Sequence, residues 1–230
     1  MHMKNIFLLA LTLGLTAPLT CFSAGMKPDT PTLFIDANNR EAVVTVQNTD
    51  NTTALLHSSV QSIPEDKTIS LLITPQLARL EPGQKQLVRV ILKNDVNITH
   101  QRMQRLNFTS VPKKHAGKDS KAQLVIAQNI PVIISPVGLP VNYEPWKELI
   151  FLKTANGIKI ENNSKYIVRM LSTVTLLPAG KAVDIKKRYI LPGEKIDIPL
   201  KENELKSVSR LKIQPATRFG MLAAPYIIDI

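Results

Sequence analysis

The sequence has one cysteine, Cys21, and few aromatic residues, 5% of the 230-residue chain. A lone cysteine excludes an intrachain disulfide and a thiolate metal site. Histidine is scarce as well: His2, His57, His100 and His115 lie far apart, and none falls in a His-Glu-x-x-His pattern. There is no Gly-x-Ser-x-Gly elbow, no Gly-rich phosphate loop ending in Lys, and no Gly-x-Gly-x-x-Gly. The carboxylates are scattered, often beside Lys or Asn in turns. These absences leave no catalytic residue, metal ligand or cofactor to assign, and the chain reads as a non-enzyme.

Acidic residues are in deficit, 18 against 29 Lys and Arg, which gives a formal charge of +11. The basic residues are spread through both halves, with small clusters at Lys113-Lys114 and Lys186-Lys187-Arg188. Neither cluster is interleaved with the aromatics that stack on bases, so nucleic acid is not the expected partner. A basic surface favours acidic partners or an anionic membrane face.

Long apolar runs are rare too. The one near the N-terminus, residues 6–15, follows Lys4, contains Gly14 and is closed by Pro18 and the small residues Ser23 and Ala24. It is shorter than the roughly 20 apolar residues a membrane span needs. It has the three regions of a secretory signal peptide, assigned to residues 1–24, with cleavage after Ser23 or Ala24. The exported chain then carries no cysteine and no segment for stable membrane insertion.

What is present is β pattern. With 16 Pro and only nine Gly, short apolar runs alternate with turn signals at the spacing of a sandwich. Strands are expected over residues 32–35, 42–47, 55–63, 69–73, 86–92, 102–111 and 121–136. Leu80-Glu-Pro-Gly-Gln is read as a turn. Residues 136–145 hold three Pro and a Gly and read as a linker. Beyond it, strands are expected over 148–153, 157–163, 166–177, 186–191, 195–200, 211–213 and 226–230. The one helix candidate is 201–207. The division is a signal peptide at 1–24, a first domain at 25–137, a linker at 138–145 and a smaller second domain at 146–230.

The run from Lys121 to Pro136 organises the rest. Ala122, Leu124 and Ile126 share one side, and Gln128 continues their row. Residues 130–134 are continuously apolar apart from Pro131, which lacks an N–H and places this strand at a sheet edge. An apolar edge strand templates pairing with other chains and is normally suppressed. Periodicity alone leaves open whether the row covers the domain's own core or is lent to a partner.

Several stretches, in order, resemble the periplasmic chaperones of chaperone–usher pilus assembly. Ala42-Val-Val-Thr-Val-Gln-Asn resembles their second strand and its Asn turn. Thr74-Pro-Gln-Leu-Ala-Arg-Leu-Glu-Pro-Gly-Gln-Lys-Gln-Leu-Val-Arg-Val, the most specific stretch, resembles their Pro-Gly and Val-Arg block. Arg105-Leu-Asn-Phe-Thr-Ser-Val-Pro resembles their sixth strand, and residues 122–136 their seventh. The resemblance implies an all-β chain of two immunoglobulin-like β-sandwich domains in an L-shaped arrangement, located in the periplasm. It also implies donor-strand complementation, in which the seventh strand is lent to a pilus subunit that lacks its last strand. Ala122, Leu124, Ile126 and Gln128 are then the subunit-binding residues, and pilus subunits and an outer-membrane usher the partners.

One departure stands out. In the best-known branch an Arg on the first strand and a Lys on the seventh hold the subunit's terminal carboxylate. Thr32 and Pro131 occupy those positions here, and the 130–132 run resembles the archaic or alternative branches. With the sixth and seventh strands antiparallel, residues 129–131 should lie beside 102–105. Arg105, with Arg102 as second choice, is therefore the candidate carboxylate anchor. The rival reading is a secreted structural β-sandwich such as a pilus subunit or adhesin. It would present an alternating donor segment near the mature N-terminus, and residues 25–31 lack one.

Overall fold

The computed structural model describes residues 25–93, 97–112 and 125–230. The signal segment, the basic loop at 113–121, and Ala122 and Leu124 lie outside the described residues.

The first half contains β1 (Met26–Pro28), β2 (Leu33–Asp36), β3 (Glu41–Asn48), β4 (Ala54–Gln61), β5 (Leu71–Thr74), β6 (Leu77–Leu80), β7 (Lys85–Leu92), β8 (Arg102–Pro112) and β9 (Ala127–Ser135). They form two sheets, ordered β1-β3-β7-β5 and β2-β9-β8-β4-β6. Every pairing is antiparallel except β2 with β9. Period-two patterning decides which side chains meet between the sheets. Val44 and Val46 of β3 and Val88 and Val90 of β7 are fully buried, while their neighbours Val43, Leu87 and Arg89 face out. Leu106 and Phe108 of β8 close the same core from the other sheet.

The second half contains β10 (Leu149–Thr154), β11 (Gly157–Asn162), β12 (Val168–Leu177), β13 (Lys181–Asp184), β14 (Tyr189–Ile190), β15 (Lys195–Pro199), α1 (Glu202–Ser207), β16 (Arg210–Pro215) and β17 (Tyr226–Asp229), after a 3-10 turn at Pro145–Glu148. One sheet is β10-β11-β15; the other is β13-β12-β16-β17, with β14 also on β12. Its separate core gathers Trp146, Ile160, Val174, Leu176, Leu211 and Ile213. Gly157 has φ +153°, and a Cβ there would lie 2.0 Å from the Ile198 carbonyl oxygen, so the β10–β11 turn admits only glycine.

The two halves repeat one corner. Asn48, fully buried at the end of β3, donates from Nδ2 to the Thr52 and Leu80 carbonyls, both at 3.0 Å. Asn162, at the end of β11, donates to the Tyr166 carbonyl at 2.8 Å and the Ile190 carbonyl at 3.1 Å. Each also faces a Pro-Gly turn whose glycine N–H donates to the Asn carbonyl, Gly83 at 2.9 Å and Gly193 at 2.7 Å.

Four differences from the sequence reading concern short or polar strands. β1, β6 and β13 are absent from it because each is a three- or four-residue edge segment with no alternating apolar pair long enough to register. In the segment read as a strand over 186–191, only Tyr189 and Ile190 pair.

The two cores meet at a third cluster. Ile63, Met103 and Ile133 of the first half bury against Ile167 of the second, with Phe34, Tyr189 and Leu191 around them. Main-chain and side-chain bonds cross at the same place: the Gln101 N–H donates to the Lys165 carbonyl at 2.9 Å, and the Ile167 N–H to Gln101 Oε1 at 2.9 Å.

Candidate functional site

β9 is two strands in one. Against β8 it pairs along its length, from Ala127 opposite Thr109 to Ile134 opposite Arg102. On its other side β2 joins only at Val132 and continues to Ser135. Residues 132–135 are therefore interior, which corrects the expectation of an edge strand throughout. Pro131 removes a donor one residue before β2 begins to pair, where the outer edge is open, so its missing N–H interrupts no ladder bond there. Over residues 127–131 no described strand pairs with that outer edge.

The side chains change in step with the edge. Ile126, Gln128, Ile130, Val132 and Ile134 lie on one side. Val132 and Ile134 are fully buried and Ile130 is 6% exposed, whereas Ile126 is 37% exposed. The row that forms the core at one end of β9 runs out of it at the other. Of the four residues assigned to the donor row, Ile126 and Gln128 stand on this emerging end; Ala122 and Leu124 precede it, outside the described residues.

The opposite side of β9 is apolar at Ile133, within the third cluster, and polar around Asn129. Arg105 faces Pro131 in the ladder, as the antiparallel arrangement of the two strands requires. Its Nε donates to Asn129 Oδ1 and a terminal nitrogen to the Asn129 carbonyl at 3.2 Å. Asn129 Nδ2 in turn donates to Asn107 Oδ1 and to Gln61 Oε1, the latter at 3.2 Å. Burial holds the Arg105 guanidinium below its ordinary pKa, although Tyr189 acts to raise it.

Arg102 belongs elsewhere. It pairs with Ile134, so it stands on the other face of the sheet from Arg105. Its Nε donates to Asp66 Oδ2 at 2.5 Å and a terminal nitrogen to Thr68 Oγ1 at 2.7 Å. Burial pushes the Asp66 carboxyl up, but the bonds from Arg102 and Thr68 outweigh that and leave it below its ordinary value. Arg102 is thus engaged within the chain, and of the two anchor candidates only Arg105 faces the polar side of β9.

Between the halves lies a small cavity lined in part by Phe34, Gln101, Ile133, Asn142, Arg169 and Arg218. Sequence reasoning missed the last two residues, because each is an isolated Arg in the second half with no motif around it. Arg169, on β12, donates to Thr32 Oγ1 across the junction and to the Thr217 and Arg218 carbonyls, at 2.7 and 3.1 Å. The Arg218 guanidinium carbon stands 3.5 Å from the centroid of the Phe34 ring. Thr32, the position that lacks a cation, is thereby served by a guanidinium from the other half.

Residues 25–140 match the family described as pili and flagellar-assembly chaperone, PapD N-terminal domain. The uncharacterized fimbrial chaperone YhcA of Escherichia coli (strain K12) is 33% identical, over 95% of this chain and 96% of its own length. Chaperone protein LpfB of Salmonella typhimurium is 27% identical, over 92% of this chain and 91% of its own. Among solved structures, a chain of the Salmonella enterica SafA pilin complex with the SafB chaperone superposes with a TM-score of 0.72 at 22% identity. The match covers 91% of this chain and 97% of that one. The E. coli chaperone DraB gives 0.72 at 16% identity, covering 90% and 99%. At these identities the structures speak for the fold alone.

Proposed function

The chain belongs to the pilus-assembly chaperone family, and from that premise we propose that it captures pilus subunits in the periplasm by lending them the first half of β9 and passes them to an outer-membrane usher. One observation carries the reading: the side-chain row buried at Ile130, Val132 and Ile134 reaches the surface at Ile126, just before β9, and the adjoining outer main-chain edge at 127–131 has no described strand on it. A subunit missing a strand needs both things, main-chain pairing and alternate side chains for its groove. Ile126 and Gln128, with Leu124 and Ala122 before them, are the residues lent. Arg105, held by Asn129 on the opposite face, is the polar contact beside the donated strand. The chain acts without a cofactor and performs no chemical step.

Purification of the tagged chain from periplasm, with mass spectrometry of what accompanies it, tests the proposal. The expected result is a stoichiometric small β-rich subunit. A ladder of self-polymer would support a structural subunit instead and overturn it.

A further inference from the structure

A second cavity opens between the two halves, with a free volume of about 330 Å³ against about 30 Å³ for the one beside Phe34. The larger figure falls within the range of small-molecule sites, roughly 300–1,000 Å³. Both of its walls are fixed by the fold. On the first half, the fully buried Gln104 accepts from the Ile63 N–H at 3.2 Å and donates to the Asp66 carbonyl at 3.0 Å, which holds residues 63–66 against β8. On the second half, Leu191 and Pro192 belong to the Pro-Gly turn that the Asn162 carbonyl fastens through the Gly193 N–H.

The lining has two characters. Ile63, Met103, Leu191 and Pro192 make one part apolar, and Ile63 and Met103 are buried within the third cluster. Glu65, Asp66, His100 and Arg102 make the other part polar. Arg102 is committed to Asp66 and Thr68. A carboxylate can accept at about four sites. Glu65 accepts from Lys187, Tyr189 and its own main chain, so it keeps capacity for a further donor. Burial raises both lining carboxyls, but the bonds they accept outweigh it and hold them below their ordinary pKa, so both are ionised at neutral pH. The ion pairs bordering the cavity hold three carboxylates, Glu65, Asp66 and Glu194, and two cations, Lys187 and Arg102. Three against two leaves this set one negative charge in excess, on a chain whose formal charge is +11.

Two classes of ligand are thereby set aside. An anion would face two ionised carboxylates. A metal ion would need a group of ligating side chains, and among the described residues no three His, Cys, Asp or Glu stand together to hold one. An organic cation with an apolar body matches both parts of the lining. We propose that this cavity is a binding site for such a molecule, an ammonium group carried on an apolar skeleton, with the ammonium at Glu65 and Asp66 and the skeleton against Met103 and Leu191. Because residues of both halves line the cavity, the bound molecule ties one half to the other. The site stands apart from subunit capture, since neither Arg105 nor any residue of β9 lines it.

The probes are phenethylamine and its uncharged isostere phenethyl alcohol. Each is titrated at neutral pH into the chain purified from periplasm, with its methionine methyl groups isotope-labelled. Met103 is buried at the cavity, whereas Met26 lies in the first core, Met170 in the second and Met221 on the surface. The amine should move the Met103 methyl resonance saturably and leave the other three in place. It should bind at least about ten-fold tighter than the alcohol, the gain expected of a charge-assisted bond. Glu65→Gln, at a partly exposed side chain, should bring the amine down toward the alcohol. Leu191→Phe, which keeps every charge and fills part of the space, should weaken both. A Met103 signal that neither probe moves, or binding unaffected by Leu191→Phe, overturns the cavity as a site. Equal affinity of amine and alcohol overturns the choice of a cation, and an undiminished preference in Glu65→Gln overturns Glu65 as its partner.

Discussion

Ile126 and Val132 stand on the same side of β9, six positions apart, yet an acidic substitution should do different things at each. Val132 is fully buried. Val132→Asp places a carboxylate in the core with no partner, at a cost of several kcal/mol, comparable to the whole stability of an ordinary domain. Ile126 is 37% exposed. Ile126→Asp should therefore change the urea midpoint little, within about 0.5 kcal/mol of stability, as surface substitutions do. In a subunit groove the same side chain contributes on the order of 1.5–3 kcal/mol. Ile126→Asp should thus weaken subunit capture by about ten- to a hundred-fold, and Leu124→Asp in the same chain should deepen the loss. Urea titration of each variant, beside a pull-down of subunit, reads both effects. Normal capture by a folded Leu124→Asp, Ile126→Asp chain would show that the opposite, polar side of β9 faces the subunit.

Among the elements, β9 combines a closed half and an open half, and amide exchange should report the division. Amides of residues 132–135 lie between β2 and β8 and should exchange slowly in the free chain. Those of residues 127–130 that point away from β8 should exchange fast in the free chain and become protected when a subunit pairs with them. Protection of the whole strand in the free chain would mean that the open edge is already covered. The sequence made β9 legible through its alternating row and its Pro131, since both act within the strand. It did not make legible where β2 begins to pair, because that depends on how Leu33 meets Val132 across the sheet. Long apolar strands such as β3, β7, β8 and β12 were readable for the same reason as β9. The short edge strands β1, β6 and β13 were not, because their neighbours and not their own residues hold them. Arg105 beside Pro131 followed from antiparallel pairing alone. Arg169 and Arg218 did not, since nothing in a sequence of separate strands says which loop of the second half meets Phe34.

For the molecule as a whole, the question is what holds the two halves in register, and an ion pair reaches across beside the apolar contact and the Gln101 and Arg169 hydrogen bonds. Lys187 Nζ lies 2.8 Å from Glu65 Oε1 and also contacts Glu194, and Tyr189 Oη donates to Glu65 Oε2 at 3.0 Å. Burial pushes the Glu65 carboxyl up, but the bonds from Lys187 and Tyr189, with a backbone bond, outweigh it and leave it below its ordinary value. A carboxyl depressed in the folded state contributes stability that is present above its unfolded pKa and is lost as pH falls through the folded one. The tie should accordingly be intact at neutral pH and fail on acidification below the usual carboxylate range. Lys187 keeps Glu194 within its own half, so the second core should survive the step while the halves loosen. The Asp66–Arg102 pair, next to Glu65 in sequence, is depressed in the same direction and adds to the transition. Glu65→Gln should remove part of the acid step rather than all of it, and by less than about 1 kcal/mol, since the pair is partly exposed to solvent. Small-angle scattering against pH, on the wild-type chain and on Glu65→Gln, measures the separation of the halves directly. An acid step of the same size and midpoint in both would assign the pH sensitivity to Asp66 and leave Glu65 with none.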